Sequence, residues 1–568
     1  MSTGTRLQRV STAIALAAVG IIAAVPVATL AQEEGVSEIE EIIVTASKRE
    51  TTLQDTPITV SVVDQQAIEQ GHILDLNDLQ VLVPSLRVNT FTRATDANFA
   101  IRGFGNGGSA VGTEPSVGIF IDGVFRSRPT STVLDLPRLD RVEVLSGPQS
   151  TLFGKNASAG VISVVTAPPS RERQDKIELT IGNYDQRLLK GYISGPVSDT
   201  LALSLSGSIN KRDGYGITPP GVATLNDKNR WSLRAQALYE PTEAVSLRLI
   251  VDHTDLDEIC CVTGNIVAGE AATAAIEALG GQVRSASEDQ FTYEGFVDVD
   301  QENKVKDNGI SLHADIDFDG FALTSITAFR NNERGPQIGD ITYTTLDLAT
   351  GNNIRDFETI SQEFRLTSTT DGPFSWMAGA YFFREDIINN GCTRYGEDLR
   401  EYLFVRLGGN LDGTGGLLGT MEGLTGNEGE FFRSGIEICS NTAQDNDAYS
   451  VFGTVEIVGL VRQKTVVGIG LAARPDPSSR FPGHATRFGN TRITACFDTA
   501  IVFAVGETNP DFGNVKLSDT RLRRKRYAPE DRLNHGRYSR SACRPNSCRR
   551  GLRCSRPIKC RCRRWQRR

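Results

Sequence analysis

The chain has 568 residues, a net charge of −8 and a hydrophobic share of 39%. Past the N-terminus no stretch approaches the roughly 18 consecutive apolar residues of a spanning helix, so any membrane insertion after export must use a β-barrel, which tolerates a modest apolar share because only alternate residues face lipid. Five histidines with no H-E-x-x-H pair and no G-x-S-x-G elbow also argue against an enzyme.

Arg6 and Arg9 precede an apolar run from Ala13 to Val25, followed by Pro26 and the small-residue exit Thr29-Leu30-Ala31. This charged, apolar and cleavable pattern predicts a signal peptide over 1–31, with a retained anchor as the alternative; both imply export. The acidic run Gln32–Glu41 is predicted to be disordered. It leaves no room for a signalling domain, so a transcription-regulating transducer is not expected. A short β-rich motif, Ile42-Ile43-Val44-Thr45-Ala46, comes next.

About a hundred residues later lies D-R-V-E-V-L-S-G-P-Q-S-T-L-F-G-K-N-A-S-A-G, Asp140 to Gly160. Residues Arg141–Leu145 alternate, Gly147-Pro148 breaks the strand, and Gly154 and Gly160 lead into a second strand, Val161–Val165: strand, loop, strand. Gly103, Gly105 and Gly108 spell G-x-G-x-x-G after a strand. Gly112 and Pro115 leave no room for the helix that a dinucleotide site requires there. Nor is Gly147–Lys155 a phosphate loop, since its glycines are too far apart and Asn156 stands where Ser or Thr would meet magnesium.

Taken with Phe99–Gly105, Gly118–Val124, Leu53–Val63 and Leu76–Leu86, all in the same order, these pieces resemble the energy-coupling box and plug domain of TonB-dependent outer-membrane receptors. The resemblance implies a mixed α/β plug followed by an antiparallel transmembrane β-barrel of twenty-two strands in the outer membrane. Leu53–Val63 would be the plug's opening strand and Leu76–Leu86 its first helix. Ile42–Ala46 would be the TonB box, pairing by strand addition with the TonB energy-coupling protein. The plug motif would comprise Arg102, Gly103, Asp122, Gly123, Arg141, Glu143, Gly147, Pro148, Gly154, Asn156 and Gly160. Of these, the charged Arg102, Asp122, Arg141 and Glu143 are expected to meet the barrel wall, while Ser146 stands where family members often carry Arg. The implied activity is active uptake of a small-molecule or metal-chelate substrate, most commonly a ferric siderophore, with no cofactor, no metal site, no nucleic-acid partner, and a monomer in outer-membrane lipid. The alternatives are a passive outer-membrane channel and a nonfunctional remnant.

After the plug the period changes to two. Leu201, Leu203 and Leu205 alternate with Ala202, Ser204 and Ser206, and Trp231, Leu233, Ala235 and Ala237 with Ser232, Arg234 and Gln236. A lipid-out, lumen-in strand reads this way, as does a soluble sandwich strand. About ten such segments begin near Lys176, Gln186, Leu201, Asn229, Ala244, Val305, Gly320, Asp356, Pro373 and Asn446. Leu256–Lys304 and Ile387–Asp445 are predicted outside loops. They hold Cys260, Cys261, Cys392 and Cys439, and a Cys392–Cys439 disulfide is one of several connectivities open.

Val461–Ala485 shows no partner-strand pattern. Residues 521–568 hold 17 Arg and 2 Lys against 2 acids, with Cys543, Cys548, Cys554, Cys560 and Cys562 lacking the paired C-x-x-C of a zinc module. We read this tail as translated out of frame, with slips near 458 and 521, which would leave unpaired strand edges. The expected domains are a signal peptide (1–31), a periplasmic segment with the box (32–47), the plug (48–170), a partial barrel (171–458), a degraded or misread region (459–520) and an aberrant Arg/Cys-rich tail (521–568).

Overall fold

The computed structural model describes residues 42–90, 97–105, 111–128, 138–284, 292–370, 372–411, 414–458, 464–473 and 504–507; the leader, the acidic run Gln32–Glu41 and the Arg/Cys-rich tail lie outside them. In chain order the first elements are β1 (Ile43–Val44), β2 (Thr51–Thr52), β3 (Val60–Asp64), α1 (Gln65–Gln70), β4 (Leu86–Thr90), β5 (Ala97–Ile101), β6 (Val117–Ile121), β7 (Val124–Arg126), β8 (Leu139–Ser146), α2 (Ser150–Phe153) and β9 (Gly160–Thr166). Five of the strands form a mixed sheet in the order β3-β8-β9-β6-β7, in which β6 and β9 run parallel. β1–β2 and β4–β5 are separate antiparallel ladders.

The alternation in Arg141–Leu145 and Val161–Val165 sorts side chains to the two faces of this sheet. Val142, Val144, Ile162 and Val164 pack in a core with Leu76, Leu79, Val83 and Leu86, all fully buried. On the opposite face Leu145 and Val161 pack with Phe120, Phe125 and Phe153. Apolar groups on both faces make the sheet the middle layer of a small domain. The β6–β7 hairpin turns at Asp122-Gly123 with φ of 49° and 75°, the paired positive values of a type I′ turn that Asp-Gly accommodates.

The first helix is not where the resemblance placed it. Residues 76–86 contain a single 3₁₀ turn, Asp78–Val81, and the helix is α1, whose N-cap Asp64 accepts a 2.7 Å bond from the Ala67 amide. Pro84 disfavours helix at the residue before it, while an Asp cap satisfies an otherwise orphaned amide. The opening strand likewise starts only at Val60, after Pro57. The stretch 147–159 read as plain loop holds the one-turn α2. In the described residues after Gly103, 111–116 contain no helix, as the dismissal of a dinucleotide site requires.

The second part is a twelve-stranded antiparallel sheet in which each strand pairs with its chain neighbour: β10 (Gln174–Gly182), β11 (Gln186–Pro196), β12 (Leu201–Arg212), β13 (Lys228–Thr242), β14 (Val245–Ile259), β15 (Glu302–Phe318), β16 (Phe321–Asp340), β17 (Ala349–Ser368), β18 (Phe374–Tyr395), β19 (Glu437–Val458), β20 (Lys464–Ala473) and β21 (Ala504–Glu507). Its burial is inverted relative to a soluble sandwich. Along β12, Ser204, Ser206, Ser208 and Asn210 are buried, while Leu203, Leu205 and Ile209 are 42–49% exposed. Polar groups face the plug and apolar groups face outward, the arrangement of an outer-membrane strand. No helix among the described residues is long and apolar enough to cross a membrane.

Two expectations about this sheet are corrected. Val461–Ala485 does contain a strand: β20 pairs with β19 from Val458↔Lys464 to Tyr449↔Ala473. The strands also reach further than their alternation, β17 starting at Ala349 rather than Asp356 and β19 at Glu437 rather than Asn446. Ladder hydrogen bonds need only backbone groups, so strands continue beyond the lipid-facing belt, where both faces are wet and the period-two signal fades. The long outside loops are correspondingly shorter and contain α3 (Glu270–Ala278), α4 (Leu399–Arg406) and α5 (Gly416–Thr425).

Candidate functional site at the box and the plug–wall contact

The box segment folds back as a hairpin. Ile43 and Val44 pair with Thr52 and Thr51, and the Leu53 amide donates to the Ile42 carbonyl at 2.8 Å. The apolar alternation sends Val44 and Ala46 into the cluster of Phe120, Leu145 and Phe153, whereas Ile42 and Ile43 stay 48% and 42% exposed. Thr45 sits between them. Its amide and hydroxyl donate to one carboxylate oxygen of Glu143, at 2.8 and 3.0 Å, and Arg141 Nε donates to that same oxygen at 2.8 Å. Glu143 is fully buried on β8 and therefore ties the box to the centre of the plug sheet.

Immediately after the box, Lys48 reaches the sheet wall. Its ammonium lies 2.6 Å from Glu363 on β17 and within 5.3 and 5.0 Å of the ring centroids of Phe153 and Phe452. Burial pushes this ammonium below its ordinary value despite the opposing Glu363 carboxylate. Arg49 adds a 3.1 Å bond to Ser375 on β18.

A second contact is built on the β6–β7 hairpin. At its tip Asp122 accepts from the Thr166 amide at 2.9 Å, pairs with Arg234 of β13 and lies 3.6 Å from Arg248 of β14. Burial alone would raise the Asp122 carboxyl, but Arg234 and Arg248 outweigh it and hold the group below its ordinary value. Arg126, at the end of the same hairpin, faces Asp307 of β15 at 3.6 Å. Asp307 also pairs with Arg330, Arg330 with Asp252 at 2.7 Å, and Asp252 with Arg234 at 3.4 Å. The hairpin thus grips a continuous charged network on four wall strands. Arg128 forms a third contact, 3.1 Å from Glu385 on β18.

Of the four plug charges expected to meet the wall, Asp122 contacts it. Arg141 and Glu143 instead serve the box, and Arg102, exposed with φ of 53°, uses its backbone amide on the Ser85 carbonyl. Nothing local in the sequence marks Lys48, Arg126 and Arg128, because the partner of each lies more than 150 residues away. Gly103, Gly123, Gly147 and Gly154 have positive φ, as does Asn156 at 65°, and Pro148 follows Gly147 in the turn into α2. Ser146 is 7% exposed at the end of β8.

On the outer side, Cys392 and Cys439 lie opposite one another on β18 and β19 and are joined by a disulfide. They form with Glu437 a set of close donors, yet a disulfide offers no thiolate to a metal. Cys260 and Cys261 are joined to each other. Asp347 and Asp398 stitch the loops 341–348 and 396–436: the Asp347 amide donates to Asp398 at 2.9 Å and the Glu397 amide to Asp347 at 3.0 Å.

A plug sheet seated against a polar-lined, apolar-backed strand wall is the arrangement of a plug and an outer-membrane strand wall. Residues 52–161 match the family model described as TonB-dependent Receptor Plug Domain. It is 27% identical over 225 residues to an iron-regulated outer membrane virulence protein of Vibrio cholerae, covering 35% of this chain and 31% of that one. It is 28% identical over 161 residues to the pesticin receptor of Yersinia pestis, covering 28% and 24% of the two chains. Its fold is similar to that of the ferric yersiniabactin uptake receptor of Yersinia pestis, with a TM-score of 0.58 at 16% identity over 74% of this chain and 57% of that one. The match thus spans under a third of these curated relatives' length.

Proposed function

We propose that the protein takes part in active uptake of a scarce, large nutrient across the outer membrane, with a ferric siderophore as the substrate class and TonB as the energy-coupling partner. The observation behind this reading is the Thr45–Glu143–Arg141 junction. It links β1 (Ile43–Val44), beside the exposed side chains of Ile42 and Ile43, to the plug sheet, so that a pull on this segment acts on β8. Exposed Ile42 and Ile43 offer the edge that strand addition uses. Val44, Ala46 and Lys48 would leave buried sites as the segment is drawn out, and no bond of the substrate need be made or broken. The names of the relatives support the substrate class, one being iron-regulated and one a ferric yersiniabactin receptor.

The test is uptake of a radiolabelled ferric siderophore by cells that depend on this receptor. Deleting residues 42–46, or collapsing the inner-membrane proton gradient, should abolish accumulation while surface binding persists. Accumulation that survives both treatments would establish a passive channel instead.

A further inference from the structure

The outward face of the sheet carries a depression that the uptake reading does not use. Cross-strand register sets two rows of side chains pointing away from the plug: Ile193–Leu205–Ala235–Val251 and, one step toward the short turns, Gly195–Leu203–Ala237–Leu249. In both rows the β13 position is an alanine between larger residues on β12 and β14. The floor therefore drops along β13, walled by Leu203 and Leu205 on one side and Leu249 and Val251 on the other. Gly195 extends the low ground toward Arg173, which lines the far edge. The depression measures about 570 Å³, within the roughly 300–1,000 Å³ range of ligand-sized clefts. Leu233 and Tyr239, both outward and nearly half exposed, stand at its two ends along the strand.

Its position narrows the occupant. The walls are lipid-facing residues, so the surrounding medium is hydrocarbon. The Arg173 edge lies beside the short turns, the periplasmic end of an outer-membrane strand. Arg173 has an exposed side chain whose Nε donates to Asp175 at 2.9 Å, while the side chain as a whole stays open to the surroundings. A planar guanidinium there suits a phosphate. Tyr239 adds an amphipathic ring of the kind that marks that boundary.

We propose that this groove is a binding site for a glycerophospholipid with an anionic headgroup from the periplasmic leaflet, one acyl chain lying along Ala235 and Ala237 and the phosphate meeting Arg173. The proposal rests on the sheet spanning the outer membrane. Lipid held there would brace β12–β14, the strands behind Arg234 and Arg248, and so bear on the wall that receives Asp122.

Native mass spectrometry of the full chain extracted from outer membranes tests it. In the wild type, titration with phosphatidylglycerol should give at least five-fold higher occupancy of a first lipid site than phosphatidylcholine of the same chain length. Ala237→Phe, which fills the floor, should remove that site. Arg173→Gln should keep a bound lipid but abolish the headgroup preference. Equal occupancy by the two lipids in the wild type, or unchanged occupancy in correctly folded Ala237→Phe, overturns the proposal, and the wild-type comparison stands even if the variant fails to fold. Absence of the chain from the outer-membrane fraction would instead count against the spanning sheet itself.

Discussion

Asp122 shows what one residue does at the plug–wall contact. Its carboxylate is enclosed with two guanidiniums, so removing its charge leaves Arg234 and Arg248 buried beside too few anions. Breaking a buried pair by deleting one partner costs about 3–5 kcal/mol, far more than the pair contributes relative to an apolar replacement. Asp122→Asn should therefore lower the urea midpoint of plug undocking, followed by protease cleavage within the plug, whereas Arg102→Gln, at an exposed position, should leave it unchanged. Asp298, in the outer loop before β15, makes a different prediction. Burial, with Asp340 and Asp347 nearby, pushes its carboxyl up from 3.8 to about 7. A raised acid favours the folded loop in its neutral form. Its contribution is full below about pH 4 and is lost as pH rises through about 7. Protection factors of the Cys260 and Gly295 amides, bonded at 2.9 and 2.8 Å to Gln301 and Ile217 carbonyls, should fall between pH 5 and pH 8. Asp298→Asn should flatten that change.

At the scale of elements, the junction between β1 and β8 depends on one carboxylate oxygen. Glu143→Gln keeps the shape but weakens charge-assisted bonds, by about 1.5–3 kcal/mol for those to a charged group. Hydrogen exchange at Thr45 should speed up by an order of magnitude or more while β9 amides stay protected; equal acceleration throughout the plug would mean that Glu143 supports the whole domain instead. Gly160 opens β9 opposite Ser146 of β8 with φ of 157°, and a Cβ there would collide with the Leu145 carbonyl oxygen. Gly160→Ala should cost about 1–3 kcal/mol through overpacking, read as reduced yield of folded protein in the outer membrane. The strands β8 and β9 and the Gly-Pro break were legible beforehand because alternation and turn chemistry are local. The helix at Gln65–Gln70 was not, since six residues carry little periodicity and its Asp64 cap looks like any surface acid.

For the whole molecule, the Cys392–Cys439 bridge closes the outermost loop at the point where β18 and β19 already pair. Reducing it, or replacing Cys439 by Ser, should increase protease cleavage within 396–436 without removing the protein from the outer membrane. By itself the sequence determined the plug strands, their order, the Gly-Pro break and the period-two wall, because each rests on neighbours a few residues apart. It also carried the family resemblance, which needs only motifs in order. Only the tertiary structure decided which charges meet: Lys48 with Glu363, Arg126 with Asp307, Arg128 with Glu385, and Glu143 with Thr45 rather than with the wall. It also decided that β20 pairs with β19 and that Ala235 and Ala237 floor a groove. Such pairings arise from register and from the seating of one sheet against another, and a single cation or alanine carries no sign of the partner that the fold brings to it.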